Sequence, residues 1–110
     1  MKTLDVGLPV TNFEDQPMEL EGQPLTIKTV LLAYCAQAGQ LGLDAVKQGC
    51  AFEAGLAVAQ GGVVALAPNQ YDVLKELADR GGLFNTLVSQ RVKRAVDNAP
   101  TQHNAPTQEA

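Results

Sequence analysis

The longest apolar stretch of the chain, Leu43–Ala67, contains only three charged residues, Asp44, Lys47 and Glu53. Its apolar positions recur on two sides of a helix, so the pattern predicts a helix that is capped by Asp44 and runs to about Gln60. Because both sides are apolar, we expect this helix to be covered on two faces, by a β-hairpin and by another helix. The stretch is therefore predicted to form the centre of the core.

Apolar and polar residues alternate near the N-terminus, and this period of two is typical of half-buried strands. The alternation predicts a β-hairpin over Leu4–Leu20, with a polar turn between its two strands. Val63–Leu66 is short and partly β-branched and is bounded by glycine and proline, which predicts a third strand. We expect this third strand to join the sheet of the hairpin.

Three further helices are predicted from apolar residues at spacings of three and four. The first extends over residues 26–38, with Thr26 as a suitable N-cap. The second extends over residues 68–80, and the third over residues 83–97. The elements together predict an α+β fold, in which a β-hairpin and a third short strand pack against about four helices. This domain is expected to span residues 1–97.

Residues 98–110 contain the sequence Asn-Ala-Pro-Thr-Gln twice, separated by His103. The segment has no aliphatic residue larger than alanine and little charge, so it has almost nothing to bury. Segments of this composition do not form a packed core. The sequence therefore predicts a disordered C-terminal tail that carries the repeat.

A length of 110 residues corresponds to a single domain, and an apolar content of 45% is ordinary for a globular protein. The net charge of −4 disfavours nucleic acid and anionic membranes as partners. The N-terminus has no apolar segment typical of a signal peptide, and charged and glutamine residues interrupt Leu43–Ala67. We therefore expect a cytoplasmic protein with no membrane span. Cys35 and Cys50 are expected to be free thiols, with a single disulfide bridge as the alternative.

Candidate catalytic chemistry is sparse in this sequence. The one histidine, His103, lies in the predicted tail, which disfavours a catalytic triad or dyad built on histidine. The sequence has no spacing typical of a zinc site and no glycine-rich phosphate loop. An enzyme would have to use Cys50 or the acidic residues of the segment 14–21, which we interpret as a solvated surface. We therefore predict a protein that is not an enzyme and needs no cofactor or metal.

The helix predicted over residues 83–97 has more apolar positions than a small core is expected to cover. An uncovered apolar stripe binds a protein partner, most simply a second copy of the chain. The expected contacts are Phe84, Leu87, Val88 and Val92.

The alternative is a small DNA-binding regulator, because the helices over 68–80 and 83–97 are joined by two glycines as in a helix-turn-helix. Recognition helices place their base-reading residues near the N-terminal end, whereas the cations here lie near the C-terminal end. The residues that would contact nucleic acid are Arg80, Arg91, Lys93 and Arg94.

Two segments carry a resemblance to known proteins: Gly22-Gln23-Pro24-Leu25-Thr26-Ile27-Lys28-Thr29-Val30-Leu31-Leu32, and Val64-Ala65-Leu66-Ala67-Pro68-Asn69-Gln70-Tyr71-Asp72-Val73-Leu74-Lys75. In both, the pattern of elements resembles small uncharacterised proteins of tailed phages and prophages, over residues 3–80. The resemblance supplies no catalytic residue. It implies a non-enzymatic phage protein that acts through protein–protein contacts, in virion assembly or in modulation of a host factor. Such a protein is expected in the bacterial cytoplasm or in the virion.

Overall fold

The computed structural model describes residues 2–81 and 83–99, apart from the side chain of Leu20. Within these residues the chain has an α+β fold, as the sequence predicts. None of the described helices is long and apolar enough to cross a lipid bilayer. The elements in chain order are β1 (Lys2–Asp5), β2 (Glu19–Leu20), β3 (Gln23–Pro24), α1 (Ile27–Ala36), α2 (Ala45–Val58), β4 (Val63–Leu66), α3 (Pro68–Arg80) and α4 (Thr86–Asp97).

The N-terminal strand pairs with the strand predicted far along the chain. β1 and β4 are antiparallel, with Leu4 opposite Val64. Leu4, Val64 and Leu66 are buried, so the two strands turn one apolar face toward the helices. The placement of the third strand beside the N-terminal strand is therefore confirmed.

The hairpin predicted over Leu4–Leu20 is confirmed only in part, because the two-stranded hairpin of the structure lies later in the chain. β2 pairs with β3, and Glu21 and Gly22 form the two-residue connection between them. Both residues have positive φ, 52° and 79°, as a type I′ turn requires. Within Leu4–Leu20 the pairing is a short antiparallel contact, in which Thr11 bridges Pro17 and the Met18 N–H donates to the carbonyl oxygen of Val10 at 2.9 Å.

The helices begin at side chains that accept hydrogen bonds from the first turn. Thr26 caps α1 by accepting from the backbone N–H of Thr29. Asp44 caps α2 in the same way at 2.9 Å, so both predicted caps are confirmed. Asn85 caps α4, which therefore begins later than the predicted start at Leu83.

Helix α3 lies at the centre of the helical layer, since it contacts α1, α2, α4 and β4. Its buried face consists of Tyr71, Val73, Leu74, Leu77 and Ala78. The hydroxyl of Tyr71 donates a buried hydrogen bond of 2.7 Å to the carbonyl oxygen of Val96 on α4. The amphipathic pattern of this segment therefore predicts its packing correctly.

Helix α2 is covered on one face only, which contradicts the prediction of two covered faces. Ala51, Ala54 and Val58 are buried against the core. Val46, Phe52 and Leu56 are 79%, 67% and 55% exposed. Two short strand pairs offer too little surface to cover the second apolar face, because each strand has at most four residues.

The described part of the chain extends slightly beyond the predicted domain end at residue 97. Asn98 is the C-cap of α4, and Ala99 is buried in the core. The rest of the predicted tail, including His103 and the second copy of the repeat, lies outside the described residues.

Candidate functional site

A groove of about 410 Å³ runs between α1 and α2. The two helices approach closely because Gly55 has no side chain: a Cβ there would lie 3.4 Å from Cβ of Cys35. The walls of the groove are almost entirely apolar. They include Leu32, Cys35 and Ala36 from α1, Phe52 and Leu56 from α2, and Ala59, the C-cap of α2.

The exposed face of α2 forms a regular seam beside this groove. Its members recur at spacings of four, three, four and three residues, which is the spacing of a coiled-coil contact. All five are exposed, and none carries a charge. We call this set the α2 seam: Ala45, Gly49, Phe52, Leu56 and Ala59.

One ion pair joins α2 to α3 on the side opposite the seam, and a second pair within α3 shares its carboxylate. Lys47 Nζ lies 2.9 Å from Glu76 Oε1, and Arg80 Nη2 lies 2.9 Å from Glu76 Oε2. Hydrogen bonds from these two cations lower the pKa of the Glu76 carboxyl below its usual value. The ion pair of Lys47 adds little to the attachment of α2, which comes chiefly from the burial of Ala51, Ala54 and Val58 on the same side.

Charges of opposite sign lie at the two ends of α2. Asp44 is the N-cap at the start of the helix. At the other end, Lys28 on α1 places its Nζ 3.8 Å from where a Cβ of Gly61 would be. The apolar seam therefore has a carboxylate at one end and an ammonium group at the other.

The two cysteines are free thiols, as expected. Burial in the wall of the groove raises the pKa of the Cys35 thiol from 9.0 to about 11. Cys50 Sγ accepts a hydrogen bond of 3.6 Å from Asn69 Nδ2, while nearby Lys47 binds Glu76. Across residues 2–81 and 83–99, no group of three His, Cys, Asp or Glu side chains is placed to hold a metal ion.

The raised pKa of Cys35 predicts slow alkylation in the folded protein. At pH 8, a thiol of pKa about 11 has about a hundredfold less thiolate than one of pKa 9.0. We expect iodoacetamide to modify Cys35 about a hundred times more slowly in the native chain than in urea, where burial is lost. Peptide mass spectrometry measures both rates, and equal rates would contradict the burial of this thiol.

Two of the four predicted interface residues on α4 are unavailable to a partner. Val88 and Val92 are buried in the core of the chain, so the prediction is wrong for them. Phe84 is half-buried and makes an edge contact with Tyr34, with ring centroids 6.0 Å apart. The apolar stripe of α4 is covered because α4 packs on α3 and α1. Leu87 is half-buried, as Phe84 is.

Leu87 contributes to a second surface cavity of about 280 Å³ between α4 and the loop 12–16. Phe13 in this loop is 84% exposed. Gln90, Arg91 and Arg94 make much of the remaining wall polar. This surface is therefore less apolar than the groove beside the α2 seam.

Three of the four cations predicted to contact nucleic acid are bound within the chain. Arg80 contacts Glu76, and also donates to the carbonyl oxygen of Leu41 at 3.0 Å. Lys93 bridges Asp79 and Asp97 at 2.9 and 2.8 Å.

Arg91 donates to two backbone carbonyls of the loop that contains Phe13. Arg94 is exposed. These contacts neutralise most of the positive surface that DNA would need.

The acidic residues of the segment 14–21 do not form a cluster suited to acid–base catalysis. Glu14, Asp15, Glu19 and Glu21 are all exposed. Asp15 lies 3.3 Å from Arg91 and forms an ion pair at the surface. The structure therefore agrees with the interpretation of these residues as solvated charge.

Comparison with protein-family models, with curated proteins and with solved structures gave no match to this chain. The resemblance to phage proteins therefore stays a prediction. Function must be inferred from the surface of the chain itself, where the groove and the α2 seam form the most apolar open site described above.

Proposed function

We propose that this chain is a non-enzymatic protein-binding domain, and that it binds its partner through the α2 seam and the adjacent groove. One observation carries the proposal: Phe52 and Leu56 are largely exposed on a helix whose other side is fixed to the core. Large apolar side chains that are held rigidly and exposed together are typical of binding surfaces.

The seam can supply a substantial part of a binding free energy. Burying a whole Val, Leu or Phe side chain is worth about 1.5–3 kcal/mol. Phe52 and Leu56 each expose more than half of their surface, so together they offer about 2–4 kcal/mol. A partner that also fills the groove against Leu32 would add to this and offset the cost of association.

A protein partner fits this surface better than a nucleic acid does. The seam carries no charge, and the groove walls beside it are apolar. Binding to phosphate requires free cations, which an apolar helix face does not offer. For a phage or prophage protein, the role that we propose is virion assembly or modulation of a host factor.

Photocrosslinking tests this proposal in cells that produce the full chain. The variant carries the photoreactive residue p-benzoylphenylalanine in place of Phe52, which is the central residue of the seam. We expect irradiation to give covalent adducts with protein. The matched control carries the same residue in place of Lys75, which is exposed on α3. An absence of adducts at Phe52, or equal yields at both positions, would overturn the proposal.

A further inference from the structure

We propose that the partner on the α2 seam is a second copy of this chain, with the two α2 helices antiparallel about a two-fold axis at Phe52. This inference rests on the proposed function and names its partner. Three features of the seam support it: the order of side-chain sizes along the helix, the charges at the two ends of the seam, and the length of the seam.

The sizes of the seam residues are self-complementary only when one helix is reversed. Reversal about Phe52 places Ala45 of one copy opposite Ala59 of the other, and brings Leu56 to within one residue, about 1.5 Å along the helix, of Gly49 of the other copy. No heavy atom lies within 4 Å of where a Cβ of Gly49 would be, so this position leaves open space for a side chain of the other copy. A parallel arrangement would instead oppose Leu56 to Leu56 and leave a gap between the two glycines.

The spacing of the seam suits this contact. Apolar residues that alternate at spacings of four and three allow the knobs of one helix to enter the holes of the next. Glycine and alanine at three of the five positions let the two backbones approach to about 8 Å. Phe52 then meets its own copy at the axis, where both rings are removed from water.

Charge complementarity favours the same direction. Asp44 lies eight positions before Phe52, or about 12 Å along the helix, and Gly61 lies nine positions after it, or about 13.5 Å. An antiparallel pair therefore brings Asp44 of one copy toward the end of α2 in the other copy, where Lys28 lies. The opposed helix dipoles add to this attraction.

The extent of the seam indicates a reversible dimer. Fifteen residues, from Ala45 to Ala59, span about 22 Å of helix. The contact between the two copies would include this length of helix and the α1 wall of each groove. The total surface that the dimer buries would then be about 1,200 Å², near the lower end for stable interfaces. We therefore expect a dissociation constant in the micromolar range, on the order of 10 µM.

Sedimentation equilibrium on the purified full chain measures this association. We expect Phe52→Asp to weaken the dimer at least a hundredfold, because two carboxylates would meet at the axis. Phe13→Asp is the matched control, because Phe13 is an exposed phenylalanine remote in sequence from the seam. Thermal unfolding of both variants is expected to resemble the wild type, since neither ring is part of the core. A monomer at about 1 mM, or equal weakening by both substitutions, would overturn the second copy as partner.

Disulfide trapping tests the antiparallel direction separately. In a chain carrying Cys35→Ala and Cys50→Ala, we expect Phe52→Cys to form a disulfide-linked dimer under mild oxidation. Ala45→Cys alone should remain monomeric, because the two sites would lie about 20 Å apart across the axis. Mixing the Ala45→Cys chain with an Ala59→Cys chain should give the linked pair. Efficient linkage of Ala45→Cys to itself would overturn the antiparallel arrangement.

The two proposals can fail independently. If the purified chain is a monomer while photocrosslinking at Phe52 captures only other proteins, the second copy is overturned and protein binding stands. If the purified chain dimerises and Phe52 adducts contain a second copy, both proposals are supported.

Discussion

Replacing Leu74 with alanine is expected to lower the free energy of unfolding of this chain by about 2–5 kcal/mol. Leu74 is fully buried on α3, which contacts each of the other three helices. Truncation removes apolar burial and leaves a cavity that rigidly packed helices fill only in part. A domain of this size is typically stable by only about 5–15 kcal/mol, so the loss is a large fraction of the total.

Urea denaturation followed by far-UV circular dichroism measures this effect. The protein should be dilute, so that any association through the α2 seam does not contribute. Leu8→Ala is the matched control, since Leu8 is 50% exposed and loses much less burial. We expect the control to cost less than about 1 kcal/mol. Equal losses at the two positions would contradict the central place of α3 in the core.

The core face of α3 could be predicted from the sequence because its two faces differ sharply. Tyr71, Leu74 and Leu77 recur at helical spacing, while Asp72 and Lys75 occupy the opposite side. Such a contrast specifies which side is buried without knowledge of the partner. The same holds for α1, where Ile27, Val30, Leu31 and Tyr34 are all buried as their stripe predicts.

Strand pairing could be predicted only in part, because the sequence indicates that Val63–Leu66 joins the sheet but alternation identifies a strand's faces and not its neighbour. Leu4 and Val6 are buried, as the pattern near the N-terminus indicates. The partner of this strand is nevertheless β4, about 60 residues away, and not the nearby segment around Leu20. The short connection at Glu21 and Gly22 favours a local hairpin with β3 instead.

Helix α2 shows why the candidate site was missed in the sequence. Both of its sides are apolar, so composition gives no indication of which side the core covers. Ala51, Ala54 and Val58 face the core, whereas Phe52 and Leu56 lie at the surface. A signal was nevertheless present, because the five seam positions follow regular spacings of four and three without a charge.

On α4 the sequence predicts the apolar face but not whether a partner or the core of the chain covers it. The sequence predicts Val88 and Val92 as partner contacts, together with Phe84 and Leu87, because a small core is expected to be full. Val96 shares the face of Val88 and Val92. In the structure they complete the core, since the strands leave room for α4 on α3. Counting apolar residues therefore overestimates how much apolar surface of α4 the core leaves uncovered. The exposed apolar surface lies on α2 instead.

The cations of α4 were also assigned from position alone, and Arg91 has a structural role that no sequence pattern shows. Its Nε donates to the carbonyl oxygen of Thr11 at 3.1 Å, and its Nη2 donates to that of Asn12 at 2.6 Å. Nη2 also lies 3.3 Å from the carboxylate of Asp15. The guanidinium group therefore joins the loop 12–16 to α4 across about 80 residues of sequence.

Arg91→Met is expected to lower the free energy of unfolding by about 1–3 kcal/mol, because two charge-assisted hydrogen bonds are lost while the apolar stem is kept. The partial exposure of Arg91 and the high exposure of Asp15 keep the contribution of their ion pair small. The loop should also open more often, which would increase amide hydrogen exchange at Glu14 and Gln16. These two amides donate to Asn12 Oδ1 inside the loop.

Urea denaturation and hydrogen exchange measured by mass spectrometry test both consequences. Arg94→Met is the matched control, because Arg94 is exposed on the same helix and forms no ion pair in the described part of the chain. The control should leave stability and exchange in the loop nearly unchanged. If the two substitutions had the same effect, Arg91 would act only through its charge. A selective effect of Arg91→Met would instead show that its hydrogen bonds hold Phe13 and its loop against α4.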